Sequence, residues 1–394
     1  MTKKWVNIAD VLFFQEGPGV RNTQYTTSGV KLLNVANLVD GKVDLSKSDR
    51  YISEEEAYGK YRHFLCDDGD FVIASSGIKV EYIDKKMGFV DASMLPLCMN
   101  TSTIRFKVLD ENQLRIRYFM YYLKSKHFKE QLTKQITGSA QLNYGPSHLK
   151  KMIMPLIDIT VQDEIISCMD KLQSIIETRQ RELIELDRLM KARFVEMFGD
   201  PRSNPFGFEK KRLKDTCKVI TGNTPSRAIE EYYGDYIEWI KTDNIVSGIL
   251  NPTQATESLS EKGMNVGRTV EKDSILMACI AGSIASIGRV CITDRTVAFN
   301  QQINAVVPEQ YNILFLYVLF QMSKDYLVED INMALKGILS KSKLEEKEFI
   351  IPPMDLQEQF SDFVKQVDKS KVAVQKALDE TQILFDSLMQ KYFG

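Results

Sequence analysis

One passage of this chain is written twice. "MIMPLIDITVQD" fills Met152 to Asp163, and "FIIPPMDLQEQF" fills Phe349 to Phe360, 197 residues on (349 minus 152). Each passage holds a strand-like apolar run, a proline, an acidic residue placed to cap a helix, and a glutamine. Each opens a long stretch of apolar residues at coiled-coil spacing. A chain that repeats such a passage must give both copies the same surroundings, so it is expected to fold as a duplicated object.

After Asp158 the first stretch sets Met169, Ile176, Leu183, Met190 and Met197 one heptad apart, with Ile165, Leu172 and Leu186 between them and Arg179 and Arg193 as polar exceptions. After Asp355, read as an N-cap with Glu358 completing a capping box, the matching series is Phe360, Val367, Val374, Thr381 and Leu388. Val364, Leu378, Phe385 and Tyr392 stand between, and Lys371 is the exception. Spacing held over five heptads exceeds what a core-facing stripe needs, so the two helices are expected to pair as an antiparallel coiled coil. Both end alike, on "EMFGD" and "QKYFG", with Gly199 and Gly394 as C′ candidates.

The repeat continues upstream. "LLNVANLVDGKVD" places Asn37 and Gly41 where "WIKTDNIVSGILN" places Asn244 and Gly248, 207 residues later in both cases (244 minus 37, 248 minus 41). Polar turns feeding apolar strands follow in each half, then a short aromatic helix: "RYFMYYLKSKHF" and "ILFLYVLFQMSKDYL". The reading is an α+β chain of two similar, mixed, strand-rich domains, each followed by a long helix. The segments are 1–151, 152–200 (central helical spacer), 201–348 and 349–394 (terminal helical spacer), with the Pro/Gly-rich "GDPRSNPFGF" linking the halves. A helix from Val161 to Phe198 is about 57 Å long at 1.5 Å per residue, on the order of 17 base pairs of duplex. Two unlike domains on such a strut are expected to measure a distance.

The 394 residues allow two or more cores. The net charge of −2 says nothing for or against an anionic partner, although residues 1–150 carry 21 Lys+Arg against 17 Asp+Glu. Six cysteines with no pair closer than twelve residues give no zinc or redox half-site. The N-terminus has no signal-peptide run, and "YNILFLYVLFQM" is too short to span a bilayer, so no membrane association is expected and the chain reads as cytoplasmic.

In this order, "CKVITGNTPSRAIEEYYGDYIEWIKTDNI", "GSIASIGRVCI" with "NQQINAVVP", and "IPPMDLQEQ" resemble the opening, middle and closing signatures of the target-recognition domain in specificity subunits of type I restriction–modification systems. "QEGPGVRNTQYTTSGVKLLNVANLVDGKVDLSKSDRYISEEEA" resembles another version of that opening. The resemblance covers essentially the whole chain. "IDITVQDE" departs by lacking the proline pair, and "ASSGIKVEY" lacks the G-x-I-G-R form. The resemblance implies a DNA-binding subunit without catalytic groups or cofactors of its own, whose two domains each read one half of a split, asymmetric site in double-stranded DNA. It further implies two methyltransferase subunits docked on the helices to modify adenine, and restriction motor-nuclease subunits, with S-adenosylmethionine, ATP and Mg belonging to those partners.

Base edges are read by loop side chains, with Arg favouring guanine and Asn or Gln favouring adenine. The candidates are Arg21, Asn22 and Gln24; Ser75, Ser76 and Lys79; Asn223, Ser226 and Arg227; and Ser283, Ser286 and Arg289. Lys124 and Lys126, with Lys129 and Lys134, are candidates for phosphate contacts. A complete methyltransferase is disfavoured, because "SNPFGF" is one proline short of the required motif and lies in the linker. A nuclease set from Asp200, Glu209 and Lys211 would stand on the same linker, and three histidines leave little for acid–base work. The remaining alternative is a coiled-coil scaffold whose globular ends bind protein or RNA.

Overall fold

The computed structural model describes residues 3–135, 143–331 and 337–394. It separates into two compact units, one of residues 1–177 with 379–394 and one of residues 178–378. Each unit takes in one half of each long helix, the central helix Ile159–Phe198 and the terminal helix Met354–Phe393.

The units repeat one internal plan. In the first, Leu12–Glu16, Thr103–Val108, Phe71–Ala74 and Met87–Phe89 form a four-stranded antiparallel sheet in that order. In the second, Cys217–Thr221, Ile303–Pro308, Ile275–Ala278 and Val290–Ile292 do the same. The runs "FVIA" and "ILMA" are buried along their whole length because both sheet faces are covered, and alternate side chains enter different cores. Phe71 and Phe106 meet Phe119 of the aromatic helix Ile116–Lys124, while Val72 and Ala74 join Leu33, Leu97 and Met99 on the other face. In the second unit, Ile275 and Met277 pack with Phe315 of the helix Ile313–Met322, and Leu276 and Ala278 with Ile240, Ile245 and Phe299. Beside each sheet a second one contains a parallel pair: Val30–Leu33 with Leu97–Met99, and Ile237–Ile240 with Val297–Phe299.

The twice-written passage has one job in both units. Its apolar run is a strand, paired antiparallel with Lys4–Asn7 in the first unit and with Lys210–Arg212 in the second. Its glutamine is buried at the point where the long helix meets the aromatic helix. The Gln162 carbonyl oxygen accepts the Arg115 N–H at 2.9 Å, and its amide donates to the Gln113 and Ile157 carbonyls at 2.8 and 2.9 Å. Gln357 accepts the Asn312 N–H at 2.9 Å and donates to the Pro352 carbonyl at 2.8 Å. Arg115 and Asn312 are the N-cap residues of the two aromatic helices, so each glutamine ties down a helix start.

This equivalence corrects the alignment read from sequence. Gln162 and Gln357 are 195 apart (357 minus 162), as are the strand starts Ile153 and Glu348 and the helix starts Ile159 and Met354. At the 197-residue spacing Gln162 would match Gln359, which is exposed. Asp158 caps the central helix, accepting the Thr160 N–H at 2.9 Å. Asp355 does not cap the terminal helix: the helix opens one residue earlier, leaving that carboxylate in the first turn, where it still favours the helix dipole.

Among the expected seam residues Met169, Ile176, Met190, Phe360, Val364, Val367 and Phe385 are buried, whereas Leu172, Leu183, Leu186, Val374, Leu378 and Leu388 are half-buried. Within the second unit the helices run antiparallel. Phe194 and Phe198 each stack edge-on to Phe360 at 5.5 Å, Asp187 pairs with Lys371 at 2.8 Å, and Arg179 Nη1 donates to the Ala377 carbonyl. Lys371, a polar exception in the heptads, also donates to the Gly248 carbonyl at 2.6 Å, which explains a lysine in an apolar stripe. Gly199 takes φ +70° and its N–H closes on Val195, as a C′ glycine should.

Candidate nucleic-acid interface

In the first unit three connections leave one edge of the four-stranded sheet. Ile104 lies opposite Glu16, Thr103 opposite Ala74 and Ile73 opposite Met87, so the segment after Glu16, the turn 100–102 and the loop 75–86 emerge together. In the second unit Thr221 lies opposite Asn304, Ala278 opposite Ile303 and Met277 opposite Val290, which gathers the corresponding loops. The same close approach holds each edge. A Cβ on Gly17 would collide with the Asn100 carbonyl, and one on Gly222 with the Asn300 carbonyl, so only glycine lets the first loop cross the turn.

Buried amides brace these loops. Asn37 and Asn244 each end a short 3₁₀ turn: their side-chain oxygens accept the N–H of Asn34 and Lys241 at 3.0 Å, and their amides donate to Asp44 O and Gln254 O. Asn100 reaches Asn34 at 2.8 Å.

All twelve loop candidates lie on these edge connections, and their side chains fall into two groups. Arg21, Asn22, Lys79, Ser226 and Ser283 are exposed. Others are taken up by the scaffold. Gln24 donates to Glu56 at 2.6 Å and Tyr61 at 3.1 Å, Ser75 is buried against Glu16, and Ser76 bonds Ser102 at 2.6 Å. Arg227 pairs with Glu257 at 2.6 Å and lies over the rings of Tyr233 and Trp239 at 4.4 and 5.2 Å. The hydrogen bonds from Lys241 and Arg227 hold the Glu257 carboxyl below its usual range. Arg289 donates to Ser286 O and Thr242 O, fixing a turn, and Ser286 bonds Ser283 at 3.0 Å. Asn223 donates to Val266 O at 2.9 Å, while its own side-chain oxygen is buried without a partner.

Lys124 and Lys126 lie elsewhere, in a pocket lined also by Asp84, Gln173, Phe385 and Asp386 of the same unit. Lys124 stands over the Tyr121 ring at 5.2 Å, and burial pushes its pKa down. Lys126 is exposed beside Glu130 at 3.7 Å. Lys129 is spent on the loop 75–86, donating to Asp84 at 2.8 Å and to Glu81 O at 3.1 Å. Sequence reading passed over Tyr82, Lys85 and Lys86 on that loop; with Lys79 they line one surface pocket.

The segments tested for catalysis carry structural roles. Asn204 takes φ +49° and closes a turn by bonding both the N–H and the carbonyl of Phe208. Asp200 accepts the N–H groups of Arg202 and Ser203, which lowers its pKa. Burial pushes the thiols of Cys66, Cys98, Cys217, Cys279 and Cys291 up to about 12. Among the described residues no group of three or more His, Cys, Asp or Glu could hold a metal, and no helix is long and apolar enough to cross a membrane.

Comparison with known proteins places this architecture. The specificity subunit of the type I restriction enzyme HindI from Haemophilus influenzae is 33% identical over 146 residues, a match that spans 36% of this chain and 31% of the relative. The MjaIX specificity subunit of Methanocaldococcus jannaschii is 23% identical over 328 residues, 77% of this chain and 74% of the relative. The S subunit of a type I restriction–modification system from M. genitalium has the same fold, with a TM-score of 0.61 at 15% identity over 100% of this chain and 96% of that one. A chain from a structural study of type I R-M complex assembly and conformational transition gives 0.56 at 15% identity, covering 99% and 97%. Residues 18–188 and 205–381, one stretch for each repeat found in the structure, match the type I restriction modification DNA specificity domain, and the chain belongs to that family.

Proposed function

We propose that this chain is the sequence-reading subunit of a type I restriction–modification complex, that it recognises a bipartite, asymmetric site in double-stranded DNA, and that it is inert without its partners. The observation that carries this reading is one scaffold used twice with different side chains at the same edge. Ser75 and Cys279 hold equivalent positions, each with its carbonyl accepting an N–H from the segment that precedes the repeated passage, at Tyr144 and Leu339 respectively. Ser102 and Gln302 hold another equivalent pair, each carbonyl accepting from Ser75 or Cys279. Two identical readers would recognise a palindrome; two different ones recognise unlike half-sites. Methyl transfer and cleavage then fall to partners, two methyltransferase subunits and motor-nuclease subunits, which bring S-adenosylmethionine, ATP and Mg.

Co-expressed with its methyltransferase partner, the chain is expected to give adenine methylation at one split motif with unlike halves, read by methylome sequencing. A palindromic motif, or none with an active partner, would remove this reading. Exchanging residues 1–151 for the corresponding domain of another family member is expected to change one half-site and leave the other intact. The long helices are proposed to set the unread gap. Four residues added near Arg179 lengthen the central helix by about 6 Å, and the gap is expected to widen by one or two base pairs; an unchanged gap would dismiss the spacing role.

A further inference from the structure

The loop between the third and fourth sheet strands differs in character between the units. In the first unit, 75–86 carries Lys79, Lys85 and Lys86 around Tyr82, which is 49% exposed. In the second, Cys279–Arg289 carries one charged residue, Arg289, whose carbonyl accepts from Ala278 as that of Lys86 accepts from Ala74, and whose guanidinium is spent on the carbonyls of Ser286 and Thr242. The backbone arrangement is nonetheless alike. Each loop contains a 3₁₀ turn, Val80–Lys85 or Ile284–Ser286, and each is tied by a lysine from the helix after the aromatic one: Lys129 donates to Glu81 O at 3.1 Å, and Lys324 to Ala285 O at 2.6 Å. The difference lies in what the same platform presents.

The platform in the first unit is tied down at three points. Ile83 is fully buried, Asp84 is held by Lys129 at 2.8 Å, and the Gly41 N–H donates to Lys85 O at 3.2 Å. The three lysines make no ion pair among the described residues; the ammonium of Lys85 lies 5.7 Å from the Tyr82 ring centre. Together with Tyr82, Gly77, Ile78, Val39 and Asp40, they line one shallow pocket. Open space stands where Gly77 would carry a side chain, so its backbone is free to approach a ligand. Of the nearby acids, Asp84 is neutralised by Lys129, which leaves Asp40 and Glu81 against three cations.

Unpaired lysines held on a fixed loop, around an exposed aromatic and a bare glycine, suit a row of phosphates better than base edges, because lysine acts as a point charge and carries little sequence information. We propose that Lys79, Lys85 and Lys86, set around Tyr82, form a DNA-backbone clamp in the first unit that the second unit lacks. The inference rests on the DNA-reading function proposed above and assigns the electrostatic anchoring unequally between the two readers.

The test uses the full chain in complex with its methyltransferase partner, and measures affinity for a duplex carrying the methylated motif by fluorescence anisotropy between 50 and 200 mM salt. Each phosphate contact contributes about 0.9 to the slope of log K against log salt. The triple Lys79→Ala, Lys85→Ala, Lys86→Ala variant is expected to have a slope shallower by about 2 to 3, with the methylated motif unchanged. Triple replacement by arginine, which keeps the charge, is expected to retain the wild-type slope. An unchanged slope in the alanine variant, an arginine variant as shallow as the alanine one, or an altered first half-site would each overturn the clamp. A wild-type complex without salt-dependent affinity for duplex would overturn the DNA-reading function itself.

Discussion

Asp70→Ala is expected to destabilise the first unit by about 3–5 kcal/mol, among the largest losses available from a single side chain. Asp70 is 2% exposed and faces Arg105, which is 7% exposed, at 3.2 Å; Lys107 approaches the other carboxylate oxygen at 3.3 Å. Arg105 also donates to the carbonyls of Leu65 and His63 and to Gln15, each at 2.7 Å, so its guanidinium cannot swing out to water without giving up three hydrogen bonds. Removing the carboxylate therefore leaves a buried cation held in place. The second unit shows that the fold itself does not require the pair. Pairing of Phe106 with Phe71 in one sheet and of Val306 with Ile275 in the other sets Ser274 at the place of Asp70 and Ala305 at the place of Arg105. The double variant Asp70→Asn, Arg105→Met, which keeps the volume and removes the charge, is expected to lose less than the sum of the two single changes, with a coupling of at least about 1 kcal/mol. Hydrogen exchange of Phe71–Ala74 against Ile275–Ala278 measures both effects within one molecule. Equal protection in wild type and Asp70→Ala would refute the argument.

Much of the scaffold was legible because it rests on patterns with short periods. Strand alternation, the Asn37/Asn244 turns and the long amphipathic helices repeat in the sequence as they repeat in space. The two-residue error in aligning the twin passages has a cause of the same kind. A shift of two keeps every strand residue on its own face, so Met154 and Phe349 remain buried under a rule that cannot tell 195 from 197. The wiring of Gln162 and Gln357, with the starts of the strands and the long helices, distinguishes them. The helix ends were misjudged for a related reason. Phe194, Phe198, Met389 and Phe393 are buried although they fall off the predicted seam, since there the helices pack on the aromatic helices: Phe198 against Phe315 at 4.9 Å, and Phe393 against Tyr118 at 5.1 Å.

The edge loops were located from sequence, but the duties of their side chains were not. Asn, Gln, Ser and Arg suit both base reading and the closing of tight turns. Gln24, Ser75, Arg227 and Arg289 are spent on the scaffold, bonding Glu56, Glu16, Glu257 and the Thr242 carbonyl, and nothing in their spacing reveals it. Lys85 and Lys86, which join Lys79 around Tyr82, escaped notice for the opposite reason, because scattered charges on a loop read as a solvated surface until the fold gathers them.

The glutamines yield the second large effect. Gln162→Leu puts an apolar side chain of similar volume in place of the amide and leaves one N–H, from Arg115, and two carbonyls, of Gln113 and Ile157, without their partner. The bond to the Ile157 carbonyl is buried and the other two are part-buried; a buried polar group so stranded costs about 1–3 kcal/mol and a part-buried one less, so a total loss of about 3 kcal/mol is expected in the first unit. Gln357→Leu strands one N–H and one carbonyl and should cost the second unit less. The glutamate variants separate hydrogen bonding from packing. Gln162→Glu retains an acceptor for the Arg115 N–H, but as a carboxylate it turns a second acceptor toward two carbonyls, and burial disfavours its charge further. Its folded-state pKa must then lie above the unfolded value of about 4.3. Below the unfolded pKa the protonated acid donates one hydrogen bond and the variant approaches wild type. As pH rises past that value the relative stability falls, and it levels off once the folded-state pKa is passed. A Gln162→Glu deficit that is independent of pH between 4 and 8 would show that the amide acts through its shape and not through the donor it supplies at the junction of strand, long helix and aromatic helix.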